Sequence, residues 1–84
     1  TLEEAIAAPR IHHQWMPDDI RAERESLPES VQRVLEKMGH HVAKKVGRTG
    51  EAWGDAESIA IDPATGMRIG VTDPRNTDAG AVGP

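Results

Sequence analysis

The stretch Glu4–Asp18, EAIAAPRIHHQWMPD, changes from one backbone period to another at a single proline. On its amino-terminal side, Leu2 to Ala8 is a run of strong helix formers with Leu2 and Ile6 four apart on one face. Thr1 precedes that run as an N-cap, and Glu4 stands at capping-box spacing from it. Pro9 disfavours helical geometry at Ala8, so the helix ends there. Beyond Arg10 the pattern alternates: Ile11, His13 and Trp15 share one face of a strand, His12 and Gln14 the other. Pro17-Asp18 marks a turn, and Ile20-Arg21-Ala22-Glu23 returns as a weaker second strand. The expectation is a helix over residues 1–8, the tail of a longer one, followed by a hairpin over 10–23.

Further along, Ser26 and Glu29 have capping-box spacing, and Pro28 falls in the first turn, where its missing N–H costs nothing. Val31, Val34, Leu35 and Met38 recur at i, i+3, i+4 and i+7 as one apolar stripe. Gly39 supplies a left-handed stop, which predicts a helix over 27–38. Burying four such side chains contributes about 6–10 kcal/mol before entropy, and so short a helix needs a sheet to lie on. His41 to Val46 reads as a strand and Gly47 to Gly54 as a polar, glycine-rich loop. Ser58-Ile59-Ala60-Ile61, the turn Asp62–Gly66 and the alternating run Met67–Thr72 form a second hairpin over 58–72. Residues 73–84 are rich in Pro, Asp and Gly and read as an irregular tail. The order predicts an α+β fold, a single segment with helices packed on one face of a largely antiparallel sheet.

The totals bound what such a chain does. Eighty-four residues make at most one small domain, and aromatic content is 2%, from Trp15 and Trp53 alone. There is no Cys to add a disulfide or thiolate-metal staple, so the isolated chain is expected to be only marginally stable. A net charge of −4 with interspersed signs gives no basic stripe for nucleic acid. No apolar run approaches the roughly 20 residues that span a bilayer. The compartment is not fixed by any of these features.

Few residues offer chemistry. An N-terminal threonine such as Thr1 can be a nucleophile with its own amine as base, but such a nucleophile opens a buried strand, and Thr1 opens an amphipathic helix. His12-His13 and His40-His41 are adjacent pairs whose rings point to opposite faces of a strand. One from each pair makes too thin a ligand set for a metal, and hydrogen-bonded or surface histidines are the expectation. Asp18-Asp19 reads as a turn and Glu23-Arg24-Glu25 as a solvated charge run. Gly47-Arg48-Thr49-Gly50 lacks the Gly-Lys-Ser/Thr ending and strand-to-helix setting of a phosphate loop. From the residues alone no active site is expected.

The segment Glu4–Asp18 nevertheless resembles a signature of the γ-glutamyltransferases, in which a helix ending EA-x-x-APR runs into [F/I]HHQW and a [L/M]PD turn. The helix from Ser26 to Gly39 is similar to that family's S-P-[D/E]…L-x-x-[M/K]-G element. Asp55-Ala56-Glu57-Ser58-Ile59 is similar to its [G/A]-x-x-[Q/E]-S-I stretch, and Gly70-Val71-Thr72-Asp73-Pro74-Arg75 to its G-[A/V]-[S/T/A]-DPR. The matches occur in order over nearly the whole chain.

That resemblance implies a piece of an N-terminal-nucleophile hydrolase, the C-terminal part of the small subunit within an αββα sandwich. The parent enzyme transfers the γ-glutamyl group of glutathione-type donors to water, amino acids or peptides through an N-terminal Thr, without cofactor or metal. The implied partners are the large subunit and the N-terminal part of the small subunit, in a periplasmic or secreted setting. The family's nucleophile and glutamyl-binding elements have no counterpart here. The resemblance therefore places no catalytic, cofactor-binding or metal-binding residue on this chain, and the fragment alone is expected to be inactive. Two alternatives stand beside it. One is a fragment of a related cephalosporin acylase-like enzyme. The other is a free-standing binding module using Trp15, Trp53 and the histidines.

Overall fold

A computed structural model describes residues 1–46 and 53–83, so the loop expected over Gly47–Gly54 lies mostly outside the described residues. The chain is α+β and divides into two compact units, Thr1–Ala8 with Gly54–Pro84, and Pro9–Trp53. Among the described residues no helix is long and apolar enough to cross a membrane.

The first unit opens with helix α1, Leu2–Ala7. The Thr1 hydroxyl accepts from the Glu4 amide at 3.1 Å, and the Glu4 carboxylate reaches back to the Thr1 backbone nitrogen at 2.7 Å. This capping box is the one the spacing predicts. Ala8 is extended, with φ −56° and ψ 141°, as a residue before proline prefers.

The same unit contains an antiparallel hairpin, with Ser58–Ile61 and Arg68–Val71 in register from Ser58↔Val71 to Ile61↔Arg68. Its turn is closed twice: the Gly66 amide donates to the Asp62 carbonyl and the Asp62 amide to the Met67 carbonyl, both at 2.8 Å. The Asp62 carboxylate accepts from the Ala64 amide at 2.8 Å, and Gly66 takes φ +70°, a value glycine adopts without penalty. Ile59 and Ile61 alternate on one face and stay exposed, while Ser58 and Ala60 on the other are half-buried.

The second unit is a three-stranded sheet of order β1-β2-β3, formed by β1 (Ile11–His12), β2 (Ile20–Glu23) and β3 (Val42–Val46). The hairpin strands β1 and β2 pair antiparallel, Ile11↔Ala22 and His12↔Arg21. β2 and β3 pair parallel, with an irregularity between Ile20 and Arg21. Parallel neighbours need a crossover, and helix α2 (Glu29–Lys37) supplies it. The hairpin strands of the first unit are β4 and β5 in chain order.

Three local expectations are corrected here. The first strand stops at His12 rather than running to Trp15. Trp15 takes φ +70°, and the loop beyond it closes on itself: the Met16 amide donates to the Gln14 carbonyl and the Gln14 amide group to the Met16 carbonyl. The second helix starts at Glu29 rather than residue 27, with no side-chain cap, because the Ser26 hydroxyl donates instead to the Glu23 carbonyl at 2.7 Å. The four-residue stripe is not buried as a set. Only Leu35 packs on the core of Ile20, Ala22 and Leu27, beside Val42, whereas Val31, Val34 and Met38 are exposed. At its other end the helix closes in a Schellman motif. Gly39, at φ +98°, donates to the Glu36 carbonyl, and His40 donates to that of Leu35.

Candidate functional site

The most constrained residues in the first unit lie in the stretch read as an irregular tail. Among its described residues there is neither helix nor strand, yet Asp73-Pro74-Arg75-Asn76 is a β-turn in which the Asn76 amide donates to the Asp73 carbonyl at 3.0 Å. Proline suits its first corner and aspartate its opening position. Asp73 is fully buried. Its Oδ1 accepts from the Arg75 amide and from Arg75 Nη1, each at 3.0 Å, and its Oδ2 accepts from the Ala56 amide at 3.1 Å. The Arg75 guanidinium also donates from Nη1 to the Ile6 carbonyl at 3.0 Å and from Nη2 to the Ala8 carbonyl at 2.8 Å. It therefore satisfies carbonyls that the end of α1 leaves open and places a cation where the helix dipole favours one. Asn76 adds a bond to Asp55 at 2.7 Å.

The second unit has a comparable knot. Buried Glu23 accepts from the Arg10 amide through Oε2 at 2.7 Å, and the Glu23 amide donates to the Arg10 carbonyl at 2.9 Å. The Glu23 reading as part of a solvated run is thus corrected: position 23 is buried against the backbone of Arg10, the residue before β1. Arg10 Nη1 donates to the Trp53 carbonyl at 3.3 Å, and the Arg21 guanidinium carbon lies 5.8 Å from the centroid of the Trp53 ring.

The remaining candidates are dispersed. Thr1 is a helix cap. The His12 ring pairs with Gln14, the His13 ring with Asp18 at 3.0 Å, and the His41 ring with Asp19 at 2.7 Å. Among the described residues no three His, Cys, Asp or Glu side chains are placed to hold a metal. Gly47-Arg48-Thr49-Gly50 falls outside the described residues. A shallow cleft of about 350 Å³ in the first unit is lined by Glu3, Ala7, residues 69–72, Pro74 and Ala81. Glu3 is the one ionisable group on its wall, so the cleft offers no acid–base pair.

The sequence carried Asp73 and Arg75 in the Asp-Pro-Arg match, Arg10 in the first signature stretch and Glu23 in a charge run, without a bonding role for any of them. A usable signal lay in Asp-Pro-Arg, where Asp and Pro occupy the positions a turn demands and a charged residue follows inside an otherwise small-residue tail.

Residues 1–83 match the γ-glutamyltranspeptidase family. The chain belongs to that family. Two curated relatives are glutathione hydrolase proenzymes. That of Escherichia coli is 43% identical over 77 residues, and that of a Pseudomonas species 33% identical over 85. The match covers 92% and 98% of this chain but only 12% and 15% of theirs. Among solved structures, the γ-glutamyltranspeptidase of Helicobacter pylori aligns with TM-score 0.72 and 38% identity over 90% of this chain and 39% of its own. The enzyme of Pseudomonas nitroreducens in complex with L-DON aligns with TM-score 0.73 and 30% identity over 100% and 42%. The α+β arrangement of this γ-glutamyltranspeptidase chain is accordingly a portion of an N-terminal-nucleophile hydrolase fold.

Proposed function

We propose that this chain is a non-catalytic, C-terminal segment of a γ-glutamyltransferase small subunit that completes the fold of the enzyme. The parent enzyme passes the γ-glutamyl group of a glutathione-type donor to water, an amino acid or a peptide. Its nucleophile, an N-terminal threonine, is supplied by another part of the polypeptide, and so are the groups that bind the glutamyl moiety. The partners are the large subunit and the N-terminal part of the small subunit.

One observation carries this reading. Among the described residues the buried carboxylates are Asp73 and Glu23; they are held by backbone amides, and Asp73 also by Arg75, so they serve junctions of the chain rather than a cleft. A role away from the chemistry is still a role. In one solved relative, an acivicin-inhibited γ-glutamyltranspeptidase, the C-terminus has critical roles in autoprocessing and catalysis. The test is to assay the purified 84-residue chain on γ-glutamyl-p-nitroanilide. No turnover above buffer is expected, and turnover that persists through repurification overturns the non-catalytic assignment.

A further inference from the structure

Helix α2 carries more apolar surface than its own unit uses. At 100° per residue, Val31, Val34 and Met38 fall within an arc of about 60°, and they are 43%, 50% and 70% exposed. Leu35, on the edge of the same stripe, is the residue that reaches the core. The polar side of the helix is internally satisfied: Arg33 pairs with Glu29 at 3.4 Å, and Gln32 donates to Glu36 at 2.9 Å. The helix is thus built to be covered on two flanks, of which the sheet takes one.

We infer that the Val31–Val34–Met38 face is a docking surface for the remainder of the γ-glutamyltransferase polypeptide, which makes α2 an inner rather than an outermost element. This rests on the reading of the chain as a segment of that enzyme. The curated relatives devote only 12% and 15% of their length to the matching region, so the polypeptide of such an enzyme holds ample further surface. A second copy of this chain is the poorer occupant. Three side chains of a nine-residue helix fall far short of the roughly 800 Å² per partner that a stable dimer buries. Docking on a larger chain needs no such self-sufficiency, because it adds to contacts made elsewhere, as at exposed Ile59 and Ile61.

The experiment expresses the chain with the polypeptide that its own reading frame encodes ahead of Thr1, and measures association. Four versions are compared: wild type, Val34→Asp, Ile59→Asp on β4, and Glu36→Arg on the opposite side of α2. Val34→Asp is expected to weaken association about tenfold or more, the effect of forcing a charge into an apolar contact, while Glu36→Arg associates as wild type. In parallel, a Val34→Cys variant is expected to react with maleimide in the free chain and to be protected in the complex, a readout that does not depend on the aspartate variant folding. If Val34→Asp binds as wild type and Val34→Cys stays reactive while Ile59→Asp fails to bind, the segment reading stands and the α2 surface is wrong. If wild type itself does not associate, both fail. Self-association of the free chain that Val34→Asp abolishes, without protection by the upstream polypeptide, assigns the face to a second copy and overturns the inference.

Discussion

Arg75 Nη1 and Asp73 Oδ1 meet at 3.0 Å with 3% and 0% of their side chains exposed, and the same guanidinium holds the carbonyls of Ile6 and Ala8 across 69 and 67 residues of sequence. A charge this deeply buried is tolerated because each of its bonds has a charged or carbonyl partner. The pair therefore ties the end of α1 to the turn that follows β5, and the short helix depends on it.

Arg75→Ala leaves Asp73 buried without its cation, and the cost is about 3–5 kcal/mol, large against the margin of a small domain. Arg75→Lys keeps the charge but loses the planar fork that serves two carbonyls at once, so it recovers only part of the loss. Denaturant titration of the three proteins side by side checks the order wild type, Lys, Ala.

Glu23→Ala removes the acceptor of the Arg10 amide. An unpaired N–H at a part-buried strand junction costs about 1–3 kcal/mol. Glu23→Gln keeps an acceptor oxygen and is expected to lose less. Amide exchange at Arg10 reads the effect directly, and unchanged protection in the alanine variant would show that the bond is dispensable.

Trp15 occupies left-handed backbone space at φ +70° while 75% of its surface is exposed. Glycine adopts that conformation without penalty, and a bulky residue pays about 1–3 kcal/mol for it. Trp15→Gly is therefore expected to raise the stability of the chain on its own, by up to about 1 kcal/mol after the flexibility of glycine in the unfolded state is counted. A clear loss of stability would mean that the indole makes contacts that outweigh the strain.

The turn of the β4–β5 hairpin responds to acid. The Ala64 amide first, and the Thr65 hydroxyl second, hold the Asp62 carboxyl below its ordinary pKa. A group whose pKa is depressed by folding contributes stability above its unfolded pKa and loses it as the pH falls through the folded one. Ala64 amide protection is expected to be constant near neutrality and to decline below about pH 4. Asp62→Asn removes that dependence; an equally steep decline in the asparagine variant would place the acid-sensitive group elsewhere.

What the sequence made legible was local chemistry. Thr1 and Glu4 announce a capping box by spacing, Gly39 a helix stop, and Asp62 to Gly66 a turn, since each of these depends on neighbours within a few residues. Partners far along the chain stayed hidden. Nothing in Ile20–Glu23 distinguishes a hairpin return from the central strand of a mixed sheet, because parallel pairing with β3 is decided by α2 folding back. Arg75 likewise meets Ile6 only in three dimensions. The stripe on α2 was visible by its period, but periodicity does not say which apolar residues the same unit covers. As for the candidate site, composition showed no reactive cluster, while the roles of Asp73 and Glu23 depend on burial that residue type argues against.

On the proposed reading, this chain completes a γ-glutamyltransferase without supplying its chemistry. The measurement that tests it most directly is γ-glutamyl-p-nitroanilide turnover by the polypeptide encoded ahead of Thr1 in the same reading frame, expressed with and without the chain. Neither piece alone is expected to be active, and the two together are expected to show robust activity. Full activity of the upstream polypeptide by itself, unchanged when the chain is added, would contradict that reading.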